Sequence, residues 1–312
     1  MSPGGEASLV PREQPSTYYG RPVVKPPVWK PEIPFYFFSG GLAGASAVLA
    51  AAATFAGRRQ LARRAWAGAF AGVAVSPTLL IKDLGKPSRF FNMLRVFKVT
   101  SPMNLGAWLL AANGGATMLA AALNARDGER RGGAPEIAAA ALGAPLATYT
   151  AVLISNSAIP AWSEARWQLP FVFAASAGAS AAGAALLTVE PGEAAPARAL
   201  GASAVFVEQA ATLLMHRRLG DLSSAYEEGA AGRYGKASRA LSLAAAGLLA
   251  AGRRELPPRA ARTLGAAAGA LLLTGSVCKR WSVFKAGFRS AEDPLQTVRP
   301  QRERIGRRGG GA

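Results

Sequence analysis

The sequence predicts an all-α integral membrane protein of eight transmembrane helices, and three observations carry that prediction. Half of the 312 residues are hydrophobic and only 17% are charged, too apolar a balance for most soluble domains of this length. The apolar residues fall in blocks: uncharged runs at 35–57, 65–81, 103–125, 137–163, 167–189, 240–252 and 263–278, with 199–215 broken only by Glu208. Lys and Arg gather at the ends of these runs, as in chains that hold their cations at membrane surfaces.

A helix needs about 20 apolar residues to cross a hydrocarbon core of about 30 Å, with about 17 the lower end. The 240–252 and 263–278 runs fall short of that. Both are read as spanning, because Lys236 and Arg239 before the first and Lys279 and Arg280 after the second can snorkel.

Taken in order, residues 1–34 form a Pro-rich polar arm with no h-region of a cleavable signal, so the first span is expected to direct insertion. Trp29, Phe35, Tyr36, Phe37 and Phe38 make an aromatic collar where the chain enters the bilayer, with Glu32 inside it. Gly40 to Gly44, Gly68 to Gly72 and Ser176 to Ser180 repeat a small-xxx-small spacing that lets helix backbones approach closely. The second span ends at Ser76-Pro77, where a proline can bend a helix beside a cavity.

The stretch from Lys82 to Trp108 is the most specific in the chain. Asp83, Gly85 and Pro87 signal a tight turn. Arg89, Arg95 and Lys98 then alternate with Phe90, Phe91, Met93, Leu94, Val96 and Phe97, an amphipathic segment suited to a membrane surface. The link AWSEARWQLP between the fourth and fifth spans reads as a surface turn with Trp162 and Trp167 as belt residues. The last two spans form a hairpin turning at Arg253 to Arg262. The membrane domain is expected over 35–289, with a basic disordered tail over 290–312.

The formal charge of +18 invites a nucleic-acid reading, but the cations lie in short clusters at span ends, so no nucleic-acid partner is expected. One Cys and one His set a second bound: Cys278 alone cannot hold an iron–sulfur cluster and His216 alone cannot supply two haem ligands. The chain is expected to carry no metal of its own. Loops on the N-terminal side are the richer in Lys and Arg, which favours both termini in the cytoplasm of a multi-pass cell-membrane protein.

Few ionisable groups lie at membrane depth. Glu208 is near mid-bilayer, where a carboxylate is costly and functional by default. Thr212 lies one turn on and His216 two turns on, about 12 Å along the axis, so the three define a candidate proton path. Asp83 either caps the segment that follows, pairs with Lys82, Lys86 or Arg89, or exchanges protons beside a bound headgroup. Glu32, Tyr36, Tyr149 and Asn156 complete the polar set, each also able simply to satisfy a helix contact.

Two blocks, EIPFYFFSGGLAGAS at Glu32 to Ser46 and DLGKPSRFFNMLRVFKVTSPMNLGAW at Asp83 to Trp108, resemble the NrfD/PsrC family of membrane subunits of polysulfide reductase, formate dehydrogenase and related quinone-linked complexes. The resemblance extends more loosely from about Trp29 to about Phe288. It implies eight helices in two four-helix bundles, no haem, and menaquinone or another quinone bound near the face where a ferredoxin-like four-cluster iron–sulfur subunit docks. That subunit exchanges electrons with a molybdopterin catalytic subunit, so the chain would not be catalytic alone. By position, the quinone site falls between Glu32 to Gly41 and the Asp83 loop, making Glu32, Tyr36, Gly41, Asp83, Tyr149 and Asn156 its candidates. Asp83, Glu208 and His216 are the candidates for proton handling. The competing readings are a proton or solute transporter, which would show paired charges at midplane, and a structural anchor for a peripheral complex.

An even number of spans puts both termini on one side. A topology reporter fused after Ser290 should therefore report the same side as one fused at the N-terminus. Opposite readings would mean that one of the short runs does not cross.

Overall fold

A computed structural model describes residues 24–298, apart from 85, 87, 129–130, 253–255 and 297. Most of the N-terminal arm, the far C-terminal tail, the Gly85 and Pro87 turn signal and the start of the Arg253 hairpin lie outside the described residues. The described chain is all helical, with no strand: α1 (Glu32–Phe55), α2 (Arg59–Asp83), α3 (Ser88–Arg95), α4 (Pro102–Arg126), α5 (Ala134–Ser155), α6 (Pro160–Glu164), α7 (Leu169–Thr188), α8 (Ala195–Leu219), α9 (Ser224–Glu227), α10 (Gly229–Ala251) and α11 (Pro258–Glu292).

Six of these, α1, α2, α4, α5, α7 and α11, are long and apolar enough to cross a membrane. The short 263–278 run is thus the middle of a 35-residue helix. The two remaining long helices, α8 and α10, have 25 and 23 residues but do not reach the same apolarity. The reason is visible in their residues. Glu208 interrupts α8 and His216, Arg217 and Arg218 end it, while Arg233, Lys236 and Arg239 lie within the first half of α10 rather than before it.

Several starts are set by proline, whose missing N–H and fixed φ suit the first turn: Pro102 in α4, Pro135 in α5, Pro170 in α7, Pro196 in α8 and Pro258 in α11. In packing, α1 lies on α2 and α5, and α4 on α5 and α2. Farther along the chain α7 lies on α8 and α11, and α10 on α11 with a lighter contact to α8. The two sets meet where α1 contacts α7 and α11 and where α5 contacts α7.

Small residues make these crossings possible, as their spacing predicts. A methyl on Gly44 would collide with the Gly143 carbonyl, one on Gly72 would lie 2.7 Å from the Ser39 carbonyl oxygen, and one on Gly183 would lie 2.7 Å from that of Gly269. Backbone therefore touches backbone at the α1–α5, α1–α2 and α7–α11 crossings. Ser276 adds a hydrogen bond from α11 to the Ser176 carbonyl at 2.8 Å.

One end of the molecule gathers the start of α1, the end of α2, α3, the end of α5, α6, the α8–α10 connection and the end of α11. Trp162 ties this end together. It is fully buried, stacks on Trp29 at 5.5 Å, donates from its indole N–H to the Val283 carbonyl at 2.8 Å, and rests where Gly287 leaves room. The belt reading of Trp162 is corrected: the AWSEARWQLP link folds inward as α6, and Ser290 and Tyr226 hold Ala161 by its N–H and carbonyl. Trp167, 61% exposed, remains on the surface. Helix α11 runs to Glu292 with Ser290 and Ala291 buried, so fixed structure continues slightly past the expected start of the tail.

Gly44→Ala should destabilise the detergent-solubilised protein by about 1–3 kcal/mol, because the added methyl meets backbone that cannot rotate away. Gly115, with open space around its Cα, should tolerate alanine and gain up to about 1 kcal/mol of helix propensity. Thermal unfolding of the two variants side by side checks both.

Candidate functional site

Among the cavities near the end of the molecule where α1 begins, two are lined by candidate residues. The first is small, about 60 Å³, and lies among α1, α2, α4 and α5. Trp29, Tyr36, Phe37, Leu80, Asp83, Met93, Met103 and Tyr149 are among the residues that wall it. Tyr36 is buried one turn into α1, and Tyr149 reaches it from α5, where Gly106 of α4 leaves room for the phenol ring. The Tyr149 hydroxyl donates to the Pro102 carbonyl.

Asp83, the last residue of α2, accepts a hydrogen bond from the Lys30 backbone N–H at 3.2 Å. Its neighbour Lys82 reaches Glu32 at 3.4 Å. Glu32 thus sits at the rim, fastened to α2, while Tyr36, Asp83 and Tyr149 converge from three helices on one apolar space.

The other two candidates lie elsewhere. Gly41 faces Arg280, whose guanidinium Nη2 would be 2.9 Å from a methyl placed there. Asn156 is exposed beyond the end of α5 and donates to the Val152 carbonyl at 2.8 Å.

The amphipathic stretch after Asp83 forms α3 and a loop on the surface. No α3 residue is buried, and Phe91, Val96 and Phe97 are strongly exposed. Asn104, which the sequence reading passed over, pins this loop: its amide donates to the carbonyls of Met93 and Val96 at 2.6 and 2.8 Å and accepts from the Lys98 N–H at 2.7 Å.

The second cavity, about 810 Å³, lies among α8, α10 and α11. Thr212 and Lys279 line it, and behind them Glu208 is not alone. Lys279 approaches its carboxylate at 3.4 Å and donates to the Thr212 hydroxyl at 3.3 Å, while Ser238 donates to Glu208 at 3.5 Å. Arg280 lies next to Lys279, donates to the Phe173 carbonyl at 2.9 Å and packs over the Phe173 ring at 3.9 Å.

Lys279 and Arg280 were expected to snorkel past the end of a short span. Instead α11 continues four turns beyond its apolar block, so both are buried, at 5% and 1% exposure. A signal for this was present. Gly269, Leu272, Ser276, Lys279, Val283 and Gly287 recur at helical spacing, and the small members mark the stripe that faces another helix.

Thr212 and His216 both line the larger cavity, and His216 Nδ1 meets Glu227 Oε1 at 3.1 Å near its mouth. Tyr226 packs against His216, and burial pushes its hydroxyl above the ordinary phenol range, so it stays a donor to Ala161. Glu208, Thr212 and His216 are therefore on one helix face, but the continuous polar contact near Glu208 runs through Lys279. Glu136, in the first turn of α5, is a further buried carboxylate, at the opposite end of the molecule, accepting from Asn124 at 2.8 Å. Among the described residues no group of three or more His, Cys, Asp or Glu could hold a metal ion.

A family model described as polysulphide reductase, NrfD, matches residues 22–195, more than half of the chain and including every wall of the smaller cavity. No curated protein matches the sequence.

Removing one partner of the buried pair should be harmful. Glu208→Gln leaves Lys279 beside Arg280 without a counter-charge and should cost about 3–5 kcal/mol. Adding Lys279→Gln should recover much of that loss, because the pair then becomes two neutral hydrogen-bonding groups. Melting temperatures of the single and double variants in detergent decide this.

Proposed function

We propose that this chain, which belongs to the polysulphide reductase NrfD family, is the quinone-reactive membrane subunit of a multi-subunit oxidoreductase. In this reading it passes electrons between a docked ferredoxin-like iron–sulfur subunit and membrane menaquinone or another quinone, and the iron–sulfur subunit serves a molybdopterin enzyme. The described residues fold into helices alone, and the chain is multi-pass. In the proposed topology α8 and α10 also cross, completing eight spans as two four-helix bundles: α1, α2, α4 and α5, then α7, α8, α10 and α11. The buried partners of Glu208 support crossing by α8, since they remove much of the burden of its one mid-helix charge.

The observation that carries this proposal is the convergence of Tyr36, Asp83 and Tyr149 on one apolar cavity beside the exposed α3 segment. A quinone site needs an aromatic and aliphatic slot, hydrogen-bond donors for the carbonyls and a protonatable group within reach. The lining supplies all three kinds of residue. Its volume, about 60 Å³, is well below the roughly 300 Å³ at which ligand pockets begin, so a ring would enter only as side chains such as Met93 and Met103 swing aside. A bound quinone would supply the two-electron chemistry. The part of this chain is to hold the ring between Trp29, Tyr36 and Tyr149, and to hold or release a proton at the Asp83 carboxylate.

The Glu208–Lys279 pair favours a second role, proton movement across the membrane domain. Paired charges at depth are what a transporter-like function requires, and Thr212, the larger cavity and His216 continue from that pair toward the surface. The two roles are separable. Quinone handling depends on Asp83 and Glu32, proton movement on Glu208 and His216.

Asp83→Asn tests the leading role. Asparagine can still accept the Lys30 N–H, so folding and co-purification of the iron–sulfur partner should survive. Quinone-dependent electron transfer should fall by about 100-fold, the usual scale of lost acid–base help. Unchanged turnover in both Asp83→Asn and Glu32→Gln, with the complex intact, would take these carboxylates out of the mechanism.

A further inference from the structure

Lys236 and Arg239 lie three residues apart on α10 and both line the larger cavity, where they are exposed at its outer lip. Neither has an acidic partner among the described residues. The acids that could serve are already engaged: Glu208 with Lys279, Glu227 with His216, and Glu228 with Arg289. Gln209 lines the same space, and its amide nitrogen is buried without a partner.

Depth gives these cations their meaning. They are seven and ten residues into α10, about 10–15 Å along its axis. If α10 crosses, as proposed above, they lie within one leaflet, where an unpaired cation is costly. Below them the lip turns apolar, with Leu243 one turn deeper on α10 and Phe206 opposite on α8, both strongly exposed. A groove that is basic toward the surface and apolar toward the membrane centre has the polarity of a phospholipid.

We infer that the α8–α10 groove is a binding site for an anionic phospholipid, with the phosphate on Lys236 and Arg239 and an acyl chain descending past Leu243 and Phe206. A basic pocket between membrane helices recognises phosphate by charge, and the cavity's size is that of a ligand site. The lipid supplies the counter-charge that the protein lacks at this depth. It also covers the membrane-facing side of the cavity whose floor holds Thr212 and Lys279. The inference rests on the eight-span reading, because only a crossing α10 places these residues in a leaflet.

Native mass spectrometry of the full chain released from detergent, with phosphatidylglycerol, phosphatidylcholine or inorganic phosphate added, tests it. One phosphatidylglycerol per chain should be retained, with phosphatidylcholine and phosphate lost. The double variant Lys236→Ala, Arg239→Ala should weaken retention by about tenfold or more, while Arg64→Ala, which removes an exposed cation from α2, should leave it unchanged. Both variants alter exposed side chains, and an unchanged melting temperature confirms folding. Equal retention by the double variant, or retention of phosphatidylcholine as strong as phosphatidylglycerol, overturns the inference, as does retention of free phosphate alone. In parallel, a thiol introduced as Gly252→Cys in a Cys278→Ser background is labelled with a membrane-impermeant maleimide. Labelling from the side opposite to the α8–α9 connection upholds the crossing of α10, on which this inference rests, whatever the lipid result. Labelling from the same side overturns the eight-span reading and this inference together.

Discussion

Two cations and one carboxylate buried at a single level, Arg280, Lys279 and Glu208, impose the constraint that most of the packing answers to. A buried ion costs several kcal/mol unless charge and hydrogen bonds surround it. Here Lys279 takes Glu208 and Thr212, while Arg280 takes the Phe173 carbonyl and the face of the Phe173 ring. Those partners come from α7 and α8, so α11 must hold both helices at short range. The guanidinium also needs volume on the α1 side, which Gly41 provides. Phe173 then meets Phe37, itself a wall of the smaller cavity, at 6.0 Å. The charged centre of one half and the apolar slot of the other thus share a single pair of aromatic rings.

The same economy of space recurs at two of the buried rings. Trp162 rests on Gly287 and Tyr149 on Gly106, each ring lying where any other residue type would place atoms. Each ring is also fixed at its polar tip, the indole N–H on Val283 and the phenol on Pro102. A polar tip needs a partner when its ring is buried, and both find one in a backbone carbonyl. The surface end of the molecule is therefore built from aromatic rings held in position, while the membrane interior is built from glycine, alanine and serine.

What the sequence made legible follows from what apolar runs encode. Runs report length and composition, so the long apolar helices and their small-residue crossings could be read directly. Runs do not report which side of a helix a charge faces. Lys279 and Arg280 were consequently placed at a surface, although the stripe of Ser276, Val283 and Gly287 around them points inward. Trp162 was misplaced for the same kind of reason: a Trp near an interface fits a belt by composition, and only the Gly287 notch on a distant helix shows that it turns in. Tyr36 and Asp83, which the family resemblance put at one membrane face, both line the smaller cavity. Gly41 and Asn156 shared that face without sharing the space, because a face is two-dimensional and a cavity needs the third coordinate.

The fastening of α1 to α2 has a mechanical consequence. Successive residues of α2, Lys82 and Asp83, grip Glu32 and the backbone of Lys30, and between Lys30 and the Trp162 stack lies only the Trp29 ring. The end of α2, the entry to α1 and the α6 turn form one clasp, so a displacement of the α2 end would be carried through Lys30 to the Trp29 wall of the cavity next to it.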